Sequence, residues 1–192
     1  MTLPEIDAVR HAFLDSARRL YRAGYDAVEL HAANGYLFQQ FLSPRINRRD
    51  DRYGGSIENR ARLMLEVTDA VISVWSADRV GMHLAPRCDS HDMGDSDPAA
   101  TFGHVARELG KRKIAFICAR ESHDKAALGP MLKKAFGGVY IANEGFTPET
   151  ARETISSGLA DAVAFGKPAI ANPDLVERLR INAAWNPPHP ET

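Results

Sequence analysis

An α/β fold built on a parallel sheet is what this sequence predicts, on three observations. Short apolar runs alternate with longer amphipathic stretches five times over in 192 residues. The short runs are nearly continuous in apolar character, which suits parallel strands covered on both faces. Helix caps and glycine stops fall where the two kinds of segment meet.

The elements follow in order. An amphipathic stretch over 6–23 stops at Gly24 and leads into a strand at 26–31, Asp26-Ala-Val-Glu-Leu-His31. Ser56 offers a side-chain cap to a long helix at 57–75, with Glu58 in its first turn. A strand at 79–85 precedes a helix at 98–109, for which Gly110 is the expected C-cap before the strand 114–118. A helix at 125–135 leads to a strand at 138–142. Thr147-Pro148-Glu149 then supplies a cap, a proline at the first helical position and an acid for a helix at 148–157, closed by Gly158. The last strand is 162–165, and Asn172-Pro173-Asp174 opens a final helix at 173–183 in the same way. Asn186–Thr192, with three prolines, reads as an ordered turn or extended tail.

Composition narrows the function classes. With 44% hydrophobic and 26% charged residues the chain is ordinary for a globular domain, and its length suits one domain with a sizeable core. A net charge of -1 gives no footprint for nucleic acid or a membrane surface. No apolar run reaches spanning length, and the N-terminus lacks a basic region followed by an apolar one. Cys88 and Cys118 lack paired-cysteine spacing, which argues against structural zinc and fits a reducing, cytoplasmic setting. Cys118 reads as a small buried hydrophobe.

Two architectures compete for five βα units. A five-stranded doubly wound sheet would use the whole length. A TIM barrel has eight units in about 250 residues, so this chain would hold five of them. Leu30-His31-Ala-Ala-Asn34-Gly35 is not the glycine-rich turn of a dinucleotide fold, which weakens the first choice.

The chemistry concentrates after the first strand, where active-site residues of parallel α/β folds lie. His31 and Asn34 can each present an N–H to a carbonyl or nitro oxygen, and one such donor is worth about 3 kcal/mol on developing negative charge. Tyr36, with an ordinary pKa of about 10, stays protonated at neutral pH and can deliver a proton. Taken alone, the same residues read more readily as a core histidine, a turn and a packing tyrosine. A second cluster follows the fourth and fifth strands: Asn143-Glu144-Gly145 and Ala164-Phe165-Gly166-Lys167. Loops after the last two strands of a barrel often bind phosphate through backbone N–H groups. Gly145 and Gly166 would allow close approach, and Lys167 adds charge.

From Leu42 the chain runs Leu-Ser-Pro-Arg-Ile-Asn47-Arg-Arg-Asp50-Asp-Arg-Tyr53-Gly54-Gly55-Ser56-Ile-Glu58-Asn59-Arg60. With His31-Ala-Ala-Asn34-Gly-Tyr36, this resembles the Old Yellow Enzyme family of FMN-dependent ene-reductases, the xenobiotic-reductase and N-ethylmaleimide-reductase branch above all. The resemblance implies a partial (β/α)8 barrel, about its last five units, as one incomplete domain over 1–192. It implies FMN as cofactor and NADPH or NADH as reductant. The substrates would be small electron-poor molecules, namely activated alkenes, nitro compounds or nitrate esters. His31 and Asn34 would orient the substrate and Tyr36 would protonate it after hydride transfer from the flavin. Asn143, Glu144, Gly145, Gly166 and Lys167 would hold the FMN phosphate. The family usually has arginine in place of Lys167, so the bidentate fork is lost here. Many members also have arginine where His83 stands in Val80-Gly-Met-His83, directed at the flavin pyrimidine edge. A histidine is only partly charged near neutral pH, so either flavin potential and affinity differ from the family pattern or Arg87 compensates. The segment 45–60 is expected to be architecture.

His83, Asp89, His91, Asp92 and Asp95 match no standard metal spacing, and the segment is expected to be a loop on the substrate side, with no metal. The resemblance begins about three βα units into the family pattern. Five strands cannot close an eight-stranded barrel, so a catalytic chain would be completed by a separate N-terminal fragment, a second copy or preceding sequence. The alternative is a non-catalytic partial barrel serving as an interaction module or remnant.

Overall fold

Five parallel strands pair in strict chain order in the computed structural model, which describes residues 1–189. They are β1 (Val28–Ala32), β2 (Val80–Leu84), β3 (Phe116–Arg120), β4 (Val139–Asn143) and β5 (Ala162–Ala164). A doubly wound sheet reverses its strand order at a switch point. This order never reverses, so right-handed crossovers put every connecting helix on one face. The helices confirm it: α1 (Leu3–Arg22) packs on α3 (Ile57–Trp75), α3 on α4 (Pro98–Arg112), and α4 on α5 (Gly129–Phe136). The result is a sector of a (β/α) barrel, and the doubly wound alternative falls.

Alternation along the strands then sorts the side chains. Leu30, Met82, Ile117 and Tyr140 form one register row beneath the helices, and Ala32, Leu84, Ala119 and Ala142 the next; all are buried. The opposite face carries the rows Glu29, Gly81, Phe116, Val139 and His31, His83, Cys118, Ile141, Ala162. Glu29 and His31 are exposed there, and Val139 is 47% exposed. The expectation of strands covered on both faces is therefore corrected. Helices cover only the outer face, and the inner face carries polar groups at the carboxyl end of the sheet. Cys118 is buried as expected, and burial pushes its thiol up to about 12.

The helix starts match their signals. Ser56 accepts from the Asn59 N–H, and Thr147 and Thr150 form a reciprocal capping box on α6 (Pro148–Ser156). Three positions differ. Gly110 lies inside α4, which runs to Arg112 and ends on left-handed Lys113. A Cβ on Gly110 would overlap the Phe136 carbonyl oxygen, so the glycine serves the close packing of α4 on α5. The helix expected from 125 starts at Gly129, because the buried Glu121 carboxylate accepts from the Leu128 and Gly129 N–H groups at 3.0 and 2.6 Å. Asn172 does not cap α8 (Leu175–Ile181); its buried amide binds the Pro168 carbonyl and both backbone groups of Asn186. That tether holds the C-terminal segment against α7 (Lys167–Ala171), and the last residues of the expected tail, 190–192, lie outside the described residues. Two short α-helices were not anticipated, α7 and α2 (Leu37–Leu42); α2 is too short to display a helical period and is buried at Phe38, Gln39, Phe41 and Leu42. Among the described residues no helix is long and apolar enough to cross a membrane.

Candidate active site

The loop leaving β1 is shaped by two successive left-handed residues, Asn34 (φ 60) and Gly35 (φ 79). Gly35 is needed for space as well as conformation, since a Cβ would sit 2.8 Å from the His91 ring and from the Ser90 carbonyl oxygen. Side chains of α2 pin the turn. Gln39 accepts from the Gly35 N–H at 2.9 Å and donates to the Ala85 carbonyl at 2.9 Å, while Gln40 donates to the Gly35 carbonyl. The unanticipated helix thus holds the loop at the end of β1. His31 stands on the open inner face with its ring centroid 5.8 Å from that of Tyr36 and 5.4 Å from that of His83. Tyr36 begins α2 and is 54% exposed. The three residues singled out after the first strand are therefore gathered at one end of the sheet.

Arg120 completes this group and was missed at the level of sequence. Its Nη1 donates to Asn34 Oδ1 at 2.8 Å and its Nη2 to Glu144 Oε1 at 2.7 Å. A guanidinium only donates, so it captures the amide oxygen and leaves the Asn34 Nδ2 as the donor. The usable signal was position: the strand runs two residues further than its apolar core suggested, to Arg120 at the carboxyl end.

His83 lies beside His31, and its Nε2 is buried with no hydrogen-bond partner among the described residues. Burial, reinforced by the neighbouring His31 and Arg120 charges, pushes its pKa down to about 4. The ring is neutral at physiological pH, so it brings no positive charge. Arg87 does not compensate. It is bound to Glu121 at 3.0 Å, to Asp124 at 2.9 and 3.0 Å, and to Ser122.

The loops after β4 and β5 meet across a hydrogen bond from Asn143 Nδ2 to the Ala164 carbonyl at 2.9 Å. Glu144 (φ 93) and Gly145 (φ 75) are both left-handed, and Gly166 starts α7. Asn143, Glu144, Gly145, Gly166, Lys167 and Arg120 line one cleft of about 540 Å³. Nothing within 4 Å would block a Cβ at Gly145 or Gly166, so both backbones are open to a close ligand. Glu144 uses its carboxylate on Arg120 rather than on an anion. Lys167 is the cation of the lining left to face one.

The segment 45–60 is architectural. Buried Arg60 donates to the carbonyls of Leu42 and Gly55 and to Thr101, Arg49 pairs with Asp51, and Tyr53 donates to Glu66. Asp92 pairs with Arg45, Asp95 accepts from Thr101, and the His91 ring lies 5.5 Å from that of Tyr36. Among the described residues no three His, Cys, Asp or Glu side chains gather where they could hold a metal. The loop instead forms a wall beside Tyr36.

These features suit a flavin mononucleotide: a cleft with the Lys167 cation and open glycine backbones for a phosphate, and an orphaned buried imidazole nitrogen for a polar ring edge. The comparisons agree. Residues 1–186 match the NADH:flavin oxidoreductase / NADH oxidase family. A "probable flavin mononucleotide-dependent alkene reductase" of Leishmania infantum is 41% identical over all of this chain and 53% of its own length. The 12-oxophytodienoate reductase 2 of Arabidopsis thaliana is 37% identical over 97% of this chain and 52% of its own. Morphinone reductase in complex with tetrahydroNAD superposes with a TM-score of 0.95 at 41% identity, over all of this chain and 53% of that structure. The chain spans about half the length of the curated relatives it matches. Sequence family and barrel architecture converge: the chain belongs to the NADH:flavin oxidoreductase / NADH oxidase family, the family of the Old Yellow Enzymes.

Proposed function

We propose that this chain carries the substrate-activating and phosphate-binding portions of an FMN-dependent, NAD(P)H-driven reductase of small electron-poor molecules. Activated alkenes, nitro compounds and nitrate esters are the substrate classes. One observation carries the reading: His31, Asn34 and Tyr36 stand at the same end of the sheet as the cleft holding Asn143, Glu144, Gly145, Gly166 and Lys167. FMN, when bound, supplies the hydride, which it takes from NADPH or NADH. Support for a nicotinamide reductant comes from morphinone reductase, solved in complex with tetrahydroNAD.

The chain's own residues do the rest. Asn34 Nδ2, oriented by Arg120, and a ring N–H of His31 hold the substrate's carbonyl or nitro oxygen. Their hydrogen bonds strengthen as that oxygen gains negative charge, which lowers the barrier. The Tyr36 hydroxyl gives its proton to the carbon next to the activating group. Lys167 and the backbones at Gly145 and Gly166 would hold the phosphate, and His83 Nε2 would offer a hydrogen-bonding group to the ring.

A second reading has a structural basis. The inner face at Glu29 and His31 is exposed, and β1 and β5 each have one unpaired edge among the described residues. Such a sheet suits completion by a complementing fragment or a second copy, or use as a non-catalytic interaction module. The visible spectrum of the purified chain after FMN addition and desalting separates the readings. A retained flavin band, bleached by NADPH or NADH, supports the reductase. A colourless but folded protein would overturn reductase action by this chain alone and mean that the chemistry belongs to a longer or completed chain, of which this one carries only the signature.

A further inference from the structure

Arg120 is the single Lys or Arg within the five strands. It stands on the inner face, two residues beyond Cys118, which is the register partner of His83. Building on the flavin reading above, we infer that Arg120 supplies the fixed positive charge of the cofactor cleft, held in place by Asn34 and Glu144.

The argument proceeds by elimination among the basic groups near the inner face. A reduced flavin ring gains negative charge, and a neighbouring protein cation tunes its affinity and potential. His83 lies centrally but stays neutral at physiological pH, because it is buried beside His31 and Arg120. Arg87 is bound by Glu121, Asp124 and Ser122. Lys167 is exposed on the loop after β5, where it suits the phosphate. Arg120 is a permanent cation bound by one carboxylate, Glu144, where Arg87 is bound by two; it is half-buried, part of the cleft lining and close enough to His83 to oppose its protonation. Its two partners come from different strand ends, 86 residues before it and 24 after. They fix the guanidinium from both sides, so its charge need not reorganise when the ring is reduced. The same contact sets the Asn34 amide, so one side chain serves both the cofactor cleft and the substrate donor.

The test is an FMN titration by fluorescence quenching, followed by spectroelectrochemical determination of the bound flavin's midpoint potential. The proteins are the wild-type chain, Arg120→Met, Arg120→Lys, and Arg120→Met combined with His83→Arg, each checked for fold by near-ultraviolet circular dichroism. Arg120→Met should weaken FMN binding on the order of tenfold, as for loss of one charge-assisted contact, and shift the potential negative. Arg120→Lys should fall between it and wild type. His83→Arg in the Arg120→Met background should move the potential back toward wild type, because it restores a cation on the adjacent strand. A folded Arg120→Met protein with unchanged affinity and potential overturns the inference. So does weaker binding with an unmoved potential and no rescue, which would make Arg120 only a brace for Asn34 and Glu144. Failure of the wild-type chain to take up FMN would instead overturn the flavin reading itself, and this inference with it.

Discussion

Arg120 and Asn34 are joined by a 2.8 Å hydrogen bond that ties the end of β3 to the loop after β1. The bond gives the carboxamide a direction. Its oxygen faces a group that can only donate, and its nitrogen is left to bind an acceptor. A site residue that chain position alone leaves ambiguous thereby acquires a defined chemical role.

Tyr36 is the proposed acid, and its hydroxyl is the atom to remove. In the FMN-loaded protein, Tyr36→Phe should slow oxidation of the reduced flavin by an alkene on the order of 100-fold, a typical general-acid contribution. Flavin reduction by the nicotinamide should continue at its normal rate. Stopped-flow absorbance resolves the two half-reactions, and equal slowing of both would remove Tyr36 from the donor role.

Lys167 should discriminate the cofactor's phosphate from its ring. Lys167→Ala is expected to weaken FMN on the order of fivefold, modest because the side chain is exposed. Riboflavin, which lacks the phosphate, should bind both proteins equally. Parallel fluorescence titrations check this, and an equal loss for both ligands would place Lys167 elsewhere.

His83 should make stability depend on pH. Its folded-state pKa is pushed down to about 4 from 6.5, by burial first and by the His31 and Arg120 charges next. Between those values the unfolded chain binds a proton that the folded chain refuses. Stability therefore falls as pH drops through about 6.5 toward 4 and this contribution levels off below, a change of roughly 2 to 3 kcal/mol. His83→Leu should lack it. Urea unfolding of both proteins across this window isolates the difference, and parallel profiles would show that the imidazole is not held neutral.

Gly110 tests the packing of α4 on α5. A methyl group there overlaps the Phe136 carbonyl oxygen, which belongs to backbone and cannot swing away. Gly110→Ala should cost about 1 to 3 kcal/mol, despite alanine's better helix propensity. Thermal or urea unfolding measures it. A stabilised variant would mean that the two helices separate easily.

Much of this was legible along the chain because the signals are local. The caps at Ser56 and Thr147, the stops at Gly24 and Gly158, and the apolar strand runs depend on residues within a turn or two of each other. His31, Asn34 and Tyr36 fall within one six-residue stretch from the end of β1 to the start of α2, and the two glycine-bearing loops follow strands that sequence already marked. Gly110 misled because a glycine near a helix end signals a cap as readily as a close approach. Asn172 misled because a capping motif can be outcompeted by buried carbonyl groups from a distant segment. Arg120 was passed over because its meaning rests on partners 86 and 24 residues away.

The sequence by itself determined the α/β class, the alternation of five βα units and the residues of the loop after β1, since periodicity and capping act over short range. Only the tertiary structure decided that the strands follow one another without reversal into a barrel sector. It alone decided that His83 is buried beside His31 and Arg120 and so held neutral, and that Arg120 bridges Asn34 and Glu144. Strand order and protonation state depend on which groups meet across the sheet, and that follows from long-range packing and desolvation rather than from neighbours in the chain.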